Sequence, residues 1–162
     1  MEYKYIIFNL RKNRSEEYSW DNLPDWFWSL FIDNLGKFGI TKIGFERVVD
    51  QKDMDKSGLQ DYLKEAGKLK YDPFHTRNES SIQGFYLTEQ LKEKLKTIPL
   101  VYFNAIEEDL PFDEIIFFKD DSEKFLVVPY ENFVMLKNFS ESEYDILMSI
   151  DKRFIGNIDS FN

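Results

Sequence analysis

Two unbroken apolar runs, Ile115-Ile116-Phe117-Phe118 and Phe125-Leu126-Val127-Val128, stand on either side of six polar residues. A strand with one wet face alternates apolar and polar side chains, so a run with no polar position has to be covered on both faces. Asp120-Asp121-Ser122-Glu123 supplies the short polar side chains that favour tight turns. Residues 114–119 and 124–129 therefore read as the arms of a β-hairpin, which residues 133–137 extend to a meander. The rest of the chain must then provide a layer against each face.

Residues 3–10, 40–49, 82–87 and 100–104 read as further strands. Leu23, Trp26, Phe27, Leu30, Phe31, Leu35 and Phe38 recur at helical spacing, with Asp21 or Asn22 as a cap and Gly36 and Gly39 as stops. Leu59, Tyr62, Leu63, Ala66 and Leu69 suggest a second amphipathic helix, and residues 70–81 a long loop around Pro73. Thr88 caps a third helix with the stripe Leu91, Leu95 and Ile98. Ser140, with Glu143 three residues on, forms a capping box for a fourth, whose stripe is Ile146, Leu147, Ile150 and Phe154. The expectation is an α+β fold: one domain over residues 1–162, with a mixed or mostly antiparallel sheet, a C-terminal β-meander and about four helices packed on it.

With 16 Phe, 9 Tyr and 3 Trp in 162 residues, the core must be aromatic and some rings are available to a surface. The absence of cysteine removes disulfides, thiolate nucleophiles and cysteine-based metal sites. The first 14 residues lack the pattern of a signal peptide, and no apolar stretch approaches the roughly 18 residues of a membrane span, so the expected location is the cytoplasm. Lys outnumbers Arg 16 to 5, a usage that fits an AT-rich bacterial or phage gene.

Net charge is −9 and uneven: residues 1–81 carry −1 and residues 82–162 carry −8. Residues 104–123 hold eight acids and one base. Such a field repels nucleic acid and anionic lipid and attracts a basic protein. The residues expected to meet that partner are Glu107, Glu108, Asp109, Asp113, Asp120, Asp121 and Glu123, with Trp28 or Tyr130 as aromatic anchors.

Motifs for chemistry are sparse. Residues 53–64 (DMDKSGLQDYLK) resemble the calcium loop of EF-hand proteins, with oxygen ligands at positions 1, 3, 5 and 9 and Gly58 at the sharp turn. Lys64 stands where that loop needs a bidentate Glu, so Asp55 or Ser57 reads instead as a helix cap. No cofactor or metal site is expected. His75, the single histidine, lies two residues from Arg77 in the long loop; with nearby carboxylates these would be the residues of a small-ligand domain or hydrolase. No nucleophile elbow or phosphate-binding glycine loop accompanies them. Residues 23–36 are faintly similar to the Leu-Pro…Asn-Gly-Gly helix of the SUKH immunity superfamily. Leu35 stands where that pattern has Gly. The leading expectation is a non-enzymatic inhibitor of immunity or antitoxin type that neutralises a basic toxin or nuclease. The alternatives are the His75/Arg77 site and a structural subunit of a larger assembly.

Overall fold

The computed structural model describes residues 3–9, 25–46, 58–73, 79–98, 114–128, 133–151 and 158–161. Eight strands form one sheet: β1 (Tyr3–Asn9), β2 (Lys42–Glu46), β3 (Glu65–Tyr71), β4 (Ser80–Tyr86), β5 (Glu114–Lys119), β6 (Ser122–Val128), β7 (Phe133–Phe139) and β8 (Ile158–Phe161). Their order is β3-β4-β2-β5-β6-β7-β1-β8, and every neighbouring pair is antiparallel. Among the described residues three α-helices accompany it: α1 (Asp25–Asn34), α2 (Glu89–Lys96) and α3 (Glu141–Ile150).

The hairpin that anchors the sequence argument is present and central. Lys119 pairs with Ser122, so the turn is the two residues Asp120 and Asp121, tighter than the four-residue turn expected. Two-residue hairpin loops need left-handed backbone, which aspartate tolerates, and Asp120 adopts φ 54°. Both apolar runs are wholly buried, as their pattern requires.

The two faces are covered by different means. On one, Ile115, Phe117, Phe125, Val127, Val134 and Leu136 meet the helices. The Phe31 ring of α1 stands edge-on to Phe117 (5.4 Å between centroids) and to Phe125 (5.1 Å). Leu91 and Leu95 of α2 join this core, as the stripe predicts. Burying each such side chain is worth about 1.5–3 kcal/mol relative to exposure.

On the other face, Ile116, Phe118, Leu126 and Val128 are covered by Leu69 and Tyr71 of β3 and Ile82 of β4. The sheet does this by curling: β3 comes into contact with β6 although three strands separate them in the order. Gly84 allows the close approach, since a methyl group there would overlap Leu69 Cδ1 and lie 3.2 Å from the Gly67 carbonyl oxygen. Gly67, its register partner, has φ +89° beside the irregularity at Glu65/Gly67.

β3 corrects the expected second helix. Leu59 is buried and a single 3-10 turn follows at Gln60–Tyr62, but the chain is extended from Glu65 and pairs with β4. The left-handed Gly67 is incompatible with helix, and ladder hydrogen bonds to β4 override the helical spacing. The long loop shrinks accordingly, with β3 reaching Tyr71 and β4 starting at Ser80. The helix count among the described residues is therefore three, with two 3-10 segments. The expected strand at 100–104 lies outside the described residues.

The Thr88 and Ser140 boundaries follow the sequence signals, while Asp21 and Asn22, the expected caps of the first helix, lie outside the described residues. Thr88 Oγ1 accepts from Leu91 N–H (3.1 Å). The α1 segment passes into a 3-10 turn, Leu35–Phe38, that ends on left-handed Gly39. At α3 the capping box is complete: Ser140 Oγ accepts from Glu143 N–H (3.2 Å) and Glu143 Oε2 accepts from Ser140 N–H (3.1 Å). No described helix is long and apolar enough to cross a membrane.

Candidate functional site

The hairpin turn projects two acids from the middle of the sheet. Asp121 has 79% of its side chain exposed and accepts from Lys42 Nζ on β2 at 2.6 Å. That contact raises the Lys42 ammonium above its ordinary pKa, so the lysine is charged at all physiological pH. Asp120 is exposed, and its N–H donates to Thr41 Oγ1 (3.2 Å), which fixes the turn against the start of β2.

Tyr86 adjoins this turn. It pairs in register with Lys42 and is 49% exposed, against 38% for Tyr62, the other exposed large hydrophobic among the described residues. Tyr86, Lys42 and Phe118 lie in one cross-strand row, which places the phenol on the rim beside the lysine that holds Asp121. Sequence reasoning missed Tyr86. The usable signal was the alternation in β4, where Ile82 and Gly84 point to the covered face and Tyr86 continues their side beyond its edge.

Two expected partner-binding residues have other duties. Trp28 is 1% exposed, and its indole N–H donates to the Leu95 carbonyl (2.8 Å), tying α1 to α2. It is a core residue, not a surface anchor; the second apolar side of α1 that it forms faces α2. Glu123 has only 10% of its side chain exposed. Its Oε1 accepts from Lys137 Nζ (2.8 Å) and from Asp72 N–H (3.0 Å), while Lys137 also donates to the Asp72 carbonyl (3.1 Å). This clasp holds the end of β3 over β6 and β7, so Glu123 closes the fold and offers no free charge. Glu107, Glu108, Asp109, Asp113 and Tyr130 lie outside the described residues, as do His75, Arg77 and residues 53–57 of the calcium-loop-like segment.

A second acidic group is interior. Glu46 and Glu114 are register partners on β2 and β5, and Glu114 is fully buried. The Tyr71 hydroxyl bonds to Glu46. Burial first, then the charges of Glu46, Glu114 and Glu123, push its pKa far above the usual tyrosine range. The phenol is thus held neutral as a donor and is no base or nucleophile near pH 7. Among the described residues no group of three His, Cys, Asp or Glu side chains is arranged to hold a metal ion.

Structure also brings α3 to the hairpin. Glu143 Oε2 accepts from the buried Lys124 Nζ (2.9 Å), and Lys124 donates to the Asn138 carbonyl (2.8 Å). Lys119, next to the turn, lies 3.9 Å from Glu143 Oε1. Glu141 and Asp145 of α3 are exposed, and, two positions either side of Glu143, they lie on the side of the helix away from its lysine contacts. Comparison of the chain with protein families, curated proteins and solved structures finds no match.

Proposed function

We propose that this chain is a small acidic cytoplasmic protein-binding protein, an inhibitor of immunity or antitoxin type that covers the basic site of a toxin or nuclease. The observation that carries the reading is the Asp120–Asp121 turn. It is exposed, fixed by Thr41 and Lys42, and set beside the exposed Tyr86. Acids held on a rigid strand connection present charge without first losing conformational freedom, and a neighbouring aromatic supplies apolar burial. The whole-chain charge of −9 steers a basic protein toward that surface and keeps nucleic acid away.

The test titrates the purified chain against the protein encoded by the adjacent gene and a panel of basic nucleases. Complex formation with inhibition of the bound nuclease is expected, with an association rate that falls steeply as salt rises. Asp120→Lys with Asp121→Lys should weaken binding by about 2–4 kcal/mol, on the scale of interface charge pairs, while urea unfolding shows a folded domain less stable by about 1 kcal/mol, because Asp120 is left-handed and Asp121 holds Lys42. Binding unchanged by the double reversal would sink the role of the turn.

A further inference from the structure

The two exposed tyrosines, Tyr62 and Tyr86, differ in what stands over the ring. The Lys94 ammonium lies 5.8 Å from the Tyr62 centroid, within the range at which an aromatic face attracts a cation. The Tyr86 ring meets no cation and no other ring among the described residues. Its backbone is nevertheless fixed. The Tyr86 N–H donates to the Lys64 carbonyl (2.9 Å), its carbonyl accepts from the Thr88 N–H (3.0 Å), and Lys42 is its ladder partner. The ring is an open platform on a held strand end, so little ordering is left for a ligand to impose.

The two carboxylates of the neighbouring turn are used differently. Asp121 is engaged by Lys42. Asp120 is exposed, and its carboxylate enters no hydrogen bond or ion pair among the described residues. The bond to Asp121, the Tyr86 phenol and the Asp120 charge all raise the Lys42 pKa, so the three groups lie near one ammonium. Thr41 Oγ1 holds the Asp120 backbone in place. The other charges nearby offset one another: Lys42 answers Asp121, Lys119 leans to Glu143, and exposed Lys64 adjoins exposed Glu65. Asp120 is the excess charge, and it keeps both oxygens open as acceptors.

An open aromatic face beside a carboxylate with two open oxygens fits a guanidinium better than an ammonium. Arginine is planar, stacks on a ring and forks two parallel N–H groups onto one carboxylate, whereas lysine brings a point charge. We infer that Tyr86 and Asp120 form the docking point for an arginine side chain of the partner, its guanidinium stacked on the Tyr86 ring and forked to the Asp120 carboxylate. The inference rests on the reading of the chain as a binder of a basic protein, and it narrows that partner to one whose basic site presents arginine.

The experiment compares fluorescent hexaarginine and hexalysine, equal in charge, with the full chain. Anisotropy at low salt should give about fivefold tighter binding of hexaarginine. Tyr86→Leu keeps apolar bulk without the ring and should remove most of that preference, while Tyr86→Phe should retain it. Asp120→Asn tolerates the same left-handed backbone and should weaken hexaarginine more than hexalysine. Thermal melts identify any variant that has lost its fold; the comparison of Tyr86→Phe with Asp120→Asn stands without Tyr86→Leu. Equal affinities, no binding of either peptide, or a preference that Tyr86→Leu leaves intact overturns the arginine site. The nuclease titration judges the inhibitor reading separately. A chain that prefers arginine but inhibits no nuclease keeps this site and loses that reading, and a chain whose inhibition is untouched by Tyr86→Leu does the reverse.

Discussion

Asp121 and Glu123 stand two positions apart, yet one faces water and the other joins two layers. The difference is set by the strand pleat and by where β3 ends, since only Glu123 points at the Asp72 backbone and Lys137. A run of acids in sequence therefore overstates the free charge of the hairpin, because the partners that neutralise Glu123 lie at positions 72 and 137. Trp28 carries the same lesson for aromatics: its indole N–H found a carbonyl on another helix, which spacing along α1 does not reveal. At this scale Tyr71 makes a pH prediction. Its folded pKa is raised above the ordinary tyrosine value of 10.0, so its contribution is fully present below that pH. It is lost as pH rises through 10 toward the folded value, because the unfolded chain then ionises while the native phenol does not. Stability measured by urea unfolding should fall between pH 9 and pH 11, roughly. Tyr71→Phe should flatten that fall; an unchanged profile in the variant would show that the alkaline loss arises elsewhere.

Strands and helices were legible where a local signal decided them. The capping box at Ser140, the Thr88 cap and the unbroken apolar runs each carry their own reason, and each element stands where the signal put it. β3 was not legible, because its apolar residues fit a helical repeat and the deciding facts are non-local: its ladder to β4 and its landing on β6. Gly67 was the available hint against a helix. The spacing predicts a buried stripe on α3; Leu147 is buried, Ile146 and Ile150 are half-buried, and Phe154 lies outside the described residues, and how far Ile146 and Ile150 are covered depends on the sheet, which periodicity does not encode. Gly84 gives the prediction for this scale. Gly84→Ala forces Leu69 and the β3 backbone away from β4, and overpacking of this kind destabilises by about 1–3 kcal/mol. The melting temperature should drop by roughly 2–4 °C per kcal/mol in a chain of this size. A melt equal to wild type would mean that the sheet curls without needing that glycine.

Seen whole, the molecule is one sheet that uses helices on one face and itself on the other. The candidate surface follows from that plan: the central hairpin carries its turn to the rim where β2, β4 and α3 also arrive. Sequence supplied the turn but not Tyr86, because its neighbourhood is made by pairing between distant segments. The same plan has a consequence in time. β1 precedes its partners by more than 120 residues, lies between β7 and β8, and pairs Ile6 with Leu136 and with Ser160. At about 5–20 residues per second, β1 waits on the order of ten seconds for its first neighbour to be synthesised. Arrested nascent chains should keep β1 open to protease until β7 has left the ribosome, so a cell making this protein must shelter that strand while the centre of the sheet is still being synthesised.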